Sequence, residues 1–537
     1  MYKTMCKTKR KAWILFTLLV CLCARASAQA ISSPGTSQIT LLDAVRSVLS
    51  NHPLLKSQQA QIEISRGLQQ QASATFDLVT QTGLLQGRST LPLSAGQQEE
   101  NLLSGIDGSS QRLNLTDYGF SVSKEFRNGI SVAPRLDLIR NTDNLFNASG
   151  LNTSALSFTI NVPLMRDRGR SVVGAQEDAA KLGVNATLLD LNHLISQLMA
   201  NAANSYWNVV AARKNLNYAT EAESRGLAYL DNVEALAAAD RVPRNDLNEA
   251  KANLAQRTSS RIIAEQQLLA SRRQLALDMG IDADEILARL PEPTDDFPAA
   301  DDVELPLDSA NAMSYYLAQA LENRADYLAS LRRSHASGLL VVAAKNGLQP
   351  KIDLSFSTGY AGLQEGTHTN DFFMASGQGV HGPNVSLGVA YTFAGANHAA
   401  KGAMLQAGAS ARQSQLQSDE LARNISASVA VALAATRSSI LRLGTVHQSV
   451  DSYQAALAGE REKYKQGIGS IISILTIEDK LNSALADQVQ AQLAYASALI
   501  QFRFATGTLN TPNTAIHDVQ ADTFLTFPFV SAKPRGR

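Results

Sequence analysis

Residues 462–473 read EKYKQGIGSIIS. Two glycines stand there inside a stretch with helical composition from about 398 to 507, with no proline between Pro383 and Pro512. A glycine weakens a helix interior by about 1 kcal/mol relative to alanine and readily takes turn conformations. Gly467 and Gly469 therefore predict a reversal, which divides the stretch into a long helix (398–465) and a shorter one (474–507).

The same proportions occur earlier in the chain. A helical stretch at 171–238 is followed by DRVPRNDLNEA (240–250), which matches GIGSIISILTI (467–477) when both are counted back from Gly280 and Gly507. Pro243 marks that first reversal. Other stretches pair likewise: FDLVTQTGL (76–84) with IDLSFSTGY (352–360), SFTINVPL (157–164) with SLGVAYTF (386–393), and VLSNHPLL (48–55) with ALENRADY (320–327). Each half reads helix, strand, strand, long helix, turn, shorter helix, the mark of an internal duplication.

Helix lengths set the architecture. The two long segments have about 68 residues each, or about 100 Å as straight helix, far beyond an ordinary globular helix. The stretches 41–73 and 246–280 together match one long helix, as do 310–346 and 474–507. Their apolar stripes (Leu191, Leu194, Ile195, Leu198, Ala202) are narrow and alanine-rich, suited to coiled-coil packing. A short helix would rise from mid-height to the strands, a long one descend the full length, and a short one return to the equator. The acidic, proline-rich linker 281–308 would cross there to the second half.

The strands alternate. Ile352, Leu354, Phe356, Thr358 and Tyr360 share one face, as do Val385, Leu387, Val389, Tyr391 and Phe393, and Leu156, Phe158, Ile160 and Val162. Small or polar residues occupy the other. Segments of about ten residues with this pattern suit a membrane barrel, though a half-buried soluble sheet has the same period. Open sheet edges are not tolerated in lipid, so a membrane barrel needs several chains to share it. The stretches 86–115 and 361–383 read as outer loops. SVSKEFRNGISVAPRLDLI (121–139) carries a hairpin signal at Asn128-Gly129 with no counterpart in the second half. It could add strands to the barrel or project from it.

Composition narrows the function. Lys3, Lys7, Lys9, Arg10 and Lys11, an apolar run from Ala12 to Cys23 and the site Ala26-Ser27-Ala28 predict a signal peptide over 1–28. All three cysteines (Cys6, Cys21, Cys23) fall within it, which leaves no thiol for a disulfide or metal site after cleavage. Balanced overall at 48 basic and 48 acidic residues, the chain becomes mildly acidic on losing that segment, which speaks against a nucleic-acid partner. The eight histidines are scattered and no phosphate loop follows a strand, so the sequence offers no catalytic set, cofactor site or metal site.

The signal segment, the duplicated strand and long-helix pattern, PLMRDRGR (163–170) at a strand-to-helix junction and the glycine-containing turn together resemble the TolC-like outer-membrane efflux protein family, over roughly residues 39–508. The resemblance implies a mainly α fold with membrane β: long helical hairpins forming a periplasmic tunnel, and strands contributed to a shared trimeric outer-membrane β-barrel. It implies a homotrimer acting as a passive exit duct of a tripartite efflux or type I secretion system. Its partners would be a periplasmic adaptor (membrane fusion protein), an inner-membrane pump and outer-membrane lipid. A periplasmic structural or adaptor coiled coil without a channel is the alternative. The expected divisions are a first repeat at 29–280 with its tip turn at about 239–245, the linker, a second repeat at 309–508 with its tip at about 466–473, and a tail at 509–537.

In that family the tips bind the adaptor and close by an iris-like motion, held by an aspartate in the first turn and a tyrosine and an arginine in the second. Asp246 matches the aspartate and Tyr464 the tyrosine, while the arginine position falls on Gly469. The acidic ring of the entrance falls on Ser473 and Thr476, which carry no charge. Arg241 and Arg244 are candidates for the missing cation. Asp246 also suits an N-cap. Pro243, Gly467, Gly469 and Ser470 form the expected docking turns.

Pro163, Arg166, Arg168 and Arg170 mark the strand-to-helix junction, where the arginines could meet lipid headgroups or water. The acidic run Asp295–Asp308 reads as a solvated linker, with cation binding as its alternative. Tyr206, Trp207 and Tyr218 read as packing between helices.

Overall fold

The computed structural model describes residues 35–239, 243–299, 310–375, 377, 380–466, 468–510, 520 and 522–528. The expected signal segment, Arg241, Gly467 and the last part of the linker lie outside them.

A strand β1 (Gly35–Ile39) leads into helices α1 (Leu41–Asn51) and α2 (Pro53–Ser73). Then come β2 (Leu78–Pro92), α3 (Ala95–Leu103), β3 (Ser110–Glu125), β4 (Ser131–Asp143) and β5 (Leu151–Pro163). The short α4 (Arg170–Val173) precedes α5 (Ala175–Ala238) and α6 (Arg244–Asp278), and α7 (Ala283–Ala288) leads to β6 (Arg289–Pro293). The second half runs α8 (Ala310–Asn323), α9 (Ala325–Asn346), β7 (Lys351–Glu365), α10 (Thr369–Met374), β8 (Val380–Thr392), α11 (His398–Lys465) and α12 (Ile471–Ala505), with α13 (Asp522–Leu525) near the end. The two long helices have 64 and 68 residues, so the length argument holds.

Local chemistry accounts for the helix boundaries. Thr40 and Asp43 form a capping box, each side chain taking the other's backbone N–H at 3.2 Å. Pro53, which has no N–H to donate, starts α2 and breaks it from α1 at His52. Two glycines close the shorter returning helices in left-handed conformation, Gly280 at φ 74° and Gly507 at φ 68°. A Cβ on Gly280 would lie 2.7 Å from the His52 Cα, and one on Gly507 would lie 2.9 Å from the Arg324 backbone N. Each glycine thus abuts the break between two short helices, α1/α2 in one half and α8/α9 in the other.

The core sits at this mid-height joint. Tyr206 and Trp207 of α5 are fully buried with Leu41, Val45, Met199, Leu275, Ile500 and Phe524. A second cluster gathers Tyr316, Ile425, Val429, Leu499, Phe502 and Phe527. Packing is therefore the role of the Tyr206–Trp207 pair.

The linker differs from expectation. Its described part is a packed element: β6 pairs in parallel with β1, and Leu290 is buried. Asp295 accepts from the Leu41 backbone at 2.7 Å and from the Tyr206 hydroxyl at 2.9 Å, and Asp296 takes Lys214 at 2.7 Å. Asp295 and Asp296 thus satisfy donors at the equator, and among the described residues no group of three His, Cys, Asp or Glu could hold a metal.

β2, β3, β4, β5, β7 and β8 form one six-stranded sheet in that order, antiparallel throughout. The 121–139 hairpin thus contributes two full strands between β2 and β5, whereas β7 and β8 pair directly. The stretches expected to be loops are strand at their ends: β2 reaches Pro92, β3 starts at Ser110, β7 continues to Glu365 and β8 starts at Val380. Polar residues such as Arg88, Ser89 and Thr90 hide the alternation there, while ladder pairing to Asn114, Leu113 and Arg112 extends the strand. The connecting segments carry the short helices α3 and α10.

Candidate functional site: the helical tips and the two-faced sheet

Register carries one apolar surface across all six strands. Leu387, Phe356, Ile160 and Val132 lie in one row, and Val385, Thr358, Phe158, Pro134, Val122 and Thr80 in the next. Tyr360, Leu156, Leu136 and Phe120 follow. On β8 this face is open, with Leu387 71% and Val389 66% exposed. The opposite face carries Ser357, Thr159, Asn161, Asp117 and an Arg135–Asp137 pair at 2.6 Å. One side suits hydrocarbon and the other water.

At the sheet's base, Arg127 in the β3–β4 turn reaches Glu177 in the first turn of α5, at 2.6 and 2.8 Å. Ser73 donates to the same carboxylate at 3.1 Å. These bonds hold the buried Glu177 carboxyl down at about 2, with the Arg127 hydrogen bond the largest cause and burial opposing it. Arg166 and Arg170 pair with Asp167 and Asp178 at 3.5 and 3.6 Å, and Arg168 donates to the Leu164 carbonyl at 3.3 Å. All three junction arginines are engaged where the strand ending at Pro163 hands over to helix.

At the far end, Pro243 occupies the cap position of α6 without a side-chain hydrogen bond, and Asp246 stands three residues in. The expected capping by Asp246 is corrected: α6 starts at Arg244, so the carboxylate lies within the first turn, where it favours the helix dipole. In the second turn Ser470 caps α12 by accepting from the Ser473 backbone at 3.1 Å. Gly469 is required for space, since a Cβ there would lie 2.8 Å from the Tyr464 backbone N. Asp246 and Tyr464 both lie within electrostatic reach of one side chain, Tyr229 of α5. Its hydroxyl pKa is raised by burial first and then by Glu249, Asp246 and Tyr464.

Above the tip lies a polar tie that the sequence reading missed. Arg257 of α6, 7% exposed, donates to Asn253 at 2.6 Å, to the Ala222 carbonyl of α5 at 3.1 Å and to Asp479 of α12 at 3.1 Å. Glu478, also buried, lies 3.9 Å from Arg257 and accepts from Arg461 of α11 at 2.7 Å. Arg225 of α5 adds a bond to Asn482 at 2.7 Å. All four lower helices are tied through one network. Gly226 makes room for it, because a Cβ there would lie 2.9 Å from the Arg257 Cδ. A glycine inside an alanine-rich helix was the available signal.

A two-faced antiparallel sheet standing on long helical hairpins is the fold of outer-membrane channels. It matches the Campylobacter jejuni CmeC outer membrane channel at TM-score 0.65 and 15% identity, covering 91% of this chain and 92% of that one. The outer membrane protein VceC of Vibrio cholerae matches at TM-score 0.60 and 16% identity, covering 87% and 96%. The open state of the Neisseria gonorrhoeae MtrE outer membrane channel matches at TM-score 0.58 and 16% identity, covering 88% and 91%. The comparison with curated protein sequences gives no match. Residues 316–508 match the model of the outer membrane efflux protein family.

Proposed function

We infer that three copies of this chain form a passive exit duct through the outer membrane and periplasm, serving a tripartite efflux or type I secretion system. A periplasmic adaptor would dock at the tip turns around Pro243 and Gly469–Ser470, and an inner-membrane pump would supply the energy. The observation that carries this reading is the sheet whose apolar face runs over every strand while its polar face holds Asp117, Arg135 and Asp137. A soluble coiled coil has no use for Leu387 and Val389 left open to solvent.

The gate in this reading lies at the lower end of the hairpins. Asp246 and Tyr464 stand near Tyr229 there, the Arg244 side chain lies outside the described part, and the Arg257 network ties the first hairpin to the second above them. Opening separates α5/α6 from α11/α12 in an iris-like motion.

The test is purification from outer-membrane fractions in detergent, native mass, and conductance in a planar bilayer. A trimer giving small, discrete conductances that widen when Arg257 is replaced supports the duct. A protein that stays soluble without detergent and does not insert overturns it in favour of the structural coiled coil.

A further inference from the structure

The sheet has two free edges, β2 and β8, of 15 and 13 residues. Along both, almost every residue is exposed on both faces, whereas the four inner strands are half-buried. An edge of unpaired N–H and C=O groups is untenable beside lipid. The edges are complementary: β2 runs away from the helices and β8 back toward them, so β8 of one copy meets β2 of the next in antiparallel sense, continuing the alternation.

The β3–β4 hairpin is built into this ladder. β3 pairs with β2 from Leu78↔Lys124 to Pro92↔Ser110, and β4 pairs with β5 from Ser131↔Asn161 to Asn141↔Leu151. Its turn is fixed to the base: Gly169 N–H donates to the Asn128 carbonyl at 3.0 Å, and Arg127 holds Glu177. Gly129 has φ 90°, and a Cβ on it would run into the Asp167 carbonyl oxygen, so the turn seats where only glycine fits. Val132, Pro134, Leu136, Phe120 and Val122 keep the same sidedness as their neighbours.

We propose that each copy inserts all six strands into the shared barrel, β8 pairing with β2 of the next copy, so that three copies close an eighteen-stranded barrel. This rests on the three-fold duct of the preceding section. With strands about 4.8 Å apart and tilted about 40°, eighteen strands give a backbone diameter of about 36 Å. The twelve that would remain without β3 and β4 give about 24 Å. The additional hairpin widens the outer mouth without lengthening the helices.

The experiment uses engineered disulfides in the full chain, in outer-membrane vesicles, with native mass measured in parallel. The described residues contain no cysteine, so each pair reports alone. Gly83→Cys is combined in turn with Ser386→Cys, Gly388→Cys and Ala390→Cys, which share the polar face of β8. Gly83→Cys with Gly119→Cys, directly opposed on β2 and β3, is the control within one chain. The expected result is closure of the control and, for at least one edge pair, an oxidised ladder ending at three linked copies.

A disulfide between Gly83→Cys and Ser157→Cys in place of the control would overturn the proposal. Those positions are three strands apart in the six-stranded sheet and come together only if the hairpin leaves it. Closure of the control with no edge pair linking copies in a trimeric protein would overturn the β8–β2 pairing while leaving the duct. A monomeric protein, or a ladder ending at two copies, would instead overturn the three-fold reading.

Discussion

The Arg257 guanidinium donates to the Asp479 carboxylate at 3.1 Å across the gap between the two helical hairpins. The same group holds the Ala222 carbonyl of its own hairpin. Separating the hairpins therefore parts a 7% exposed cation from its anionic partners.

Asp479 is 61% exposed and Glu478 keeps Arg461, so losing the Arg257 charge costs less than breaking a fully buried pair. Arg257→Met keeps the aliphatic packing and removes the charge, leaving Glu478 with Arg461. We expect closed-state conductance to rise several-fold in a planar bilayer and the melting temperature to fall. Gly226→Ala should act in the same direction by pushing the Arg257 stem aside. Unchanged conductance in both variants would remove the network from the gate.

At the tip, Asp246 and Tyr464 converge on Tyr229. Asp246→Ala and Tyr464→Phe should each increase conductance, and the double variant should give less than the sum, since neighbours sharing a partner are not additive. Full additivity would mean that the two act on separate contacts.

Gly280→Ala and Gly507→Ala should each destabilise by about 2 kcal/mol or more, from the left-handed backbone alone, before the contact with the opposing break is counted. Gly67→Ala in α2 is the control: it has open space and should stabilise by up to about 1 kcal/mol. Denaturant midpoints in detergent measure all three.

Glu177 titrates at about 2 in the folded chain, below the usual carboxylate value of 4.5. Its contribution to stability is fully present above about pH 4.5 and is lost as pH falls toward 2. Melting temperatures at pH 6 and pH 3 should diverge for the native chain, and Glu177→Gln should reduce that difference. A variant with the full native slope would place the acid sensitivity elsewhere.

The helices were legible because length and periodicity are local properties: 398–465 was read to the residue, and α6 began two residues before the expected start. The strands were legible only where they alternate. Ladder partners, which the sequence does not display, extended β2 and β3 through residues polar on both faces.

The Arg257–Asp479 contact joins residues 222 positions apart on helices rich in charged residues, so nothing in either helix distinguishes them. Asp295, at the head of the acidic run, was misread for the opposite reason. The Asp and Pro content of that run suggested solvent, yet Asp295 is taken up by the Leu41 backbone and Tyr206, donors that meet it only at the equator.

The breaks at His52 and Arg324, each abutted by a helix-ending glycine, give every hairpin unequal legs. α5 and α11 run uninterrupted and can transmit torque as rods. Their companions are interrupted: α6 ends against the α1/α2 break and α12 against the α8/α9 break, with no backbone crossing the seam. Compliance is thereby concentrated at mid-height, like a knee on one side of a splinted limb. In the proposed duct, a sideways pull at the tips would swing the lower segments about that seam while the strands above keep their register, so that one mouth yields and the other stays sealed.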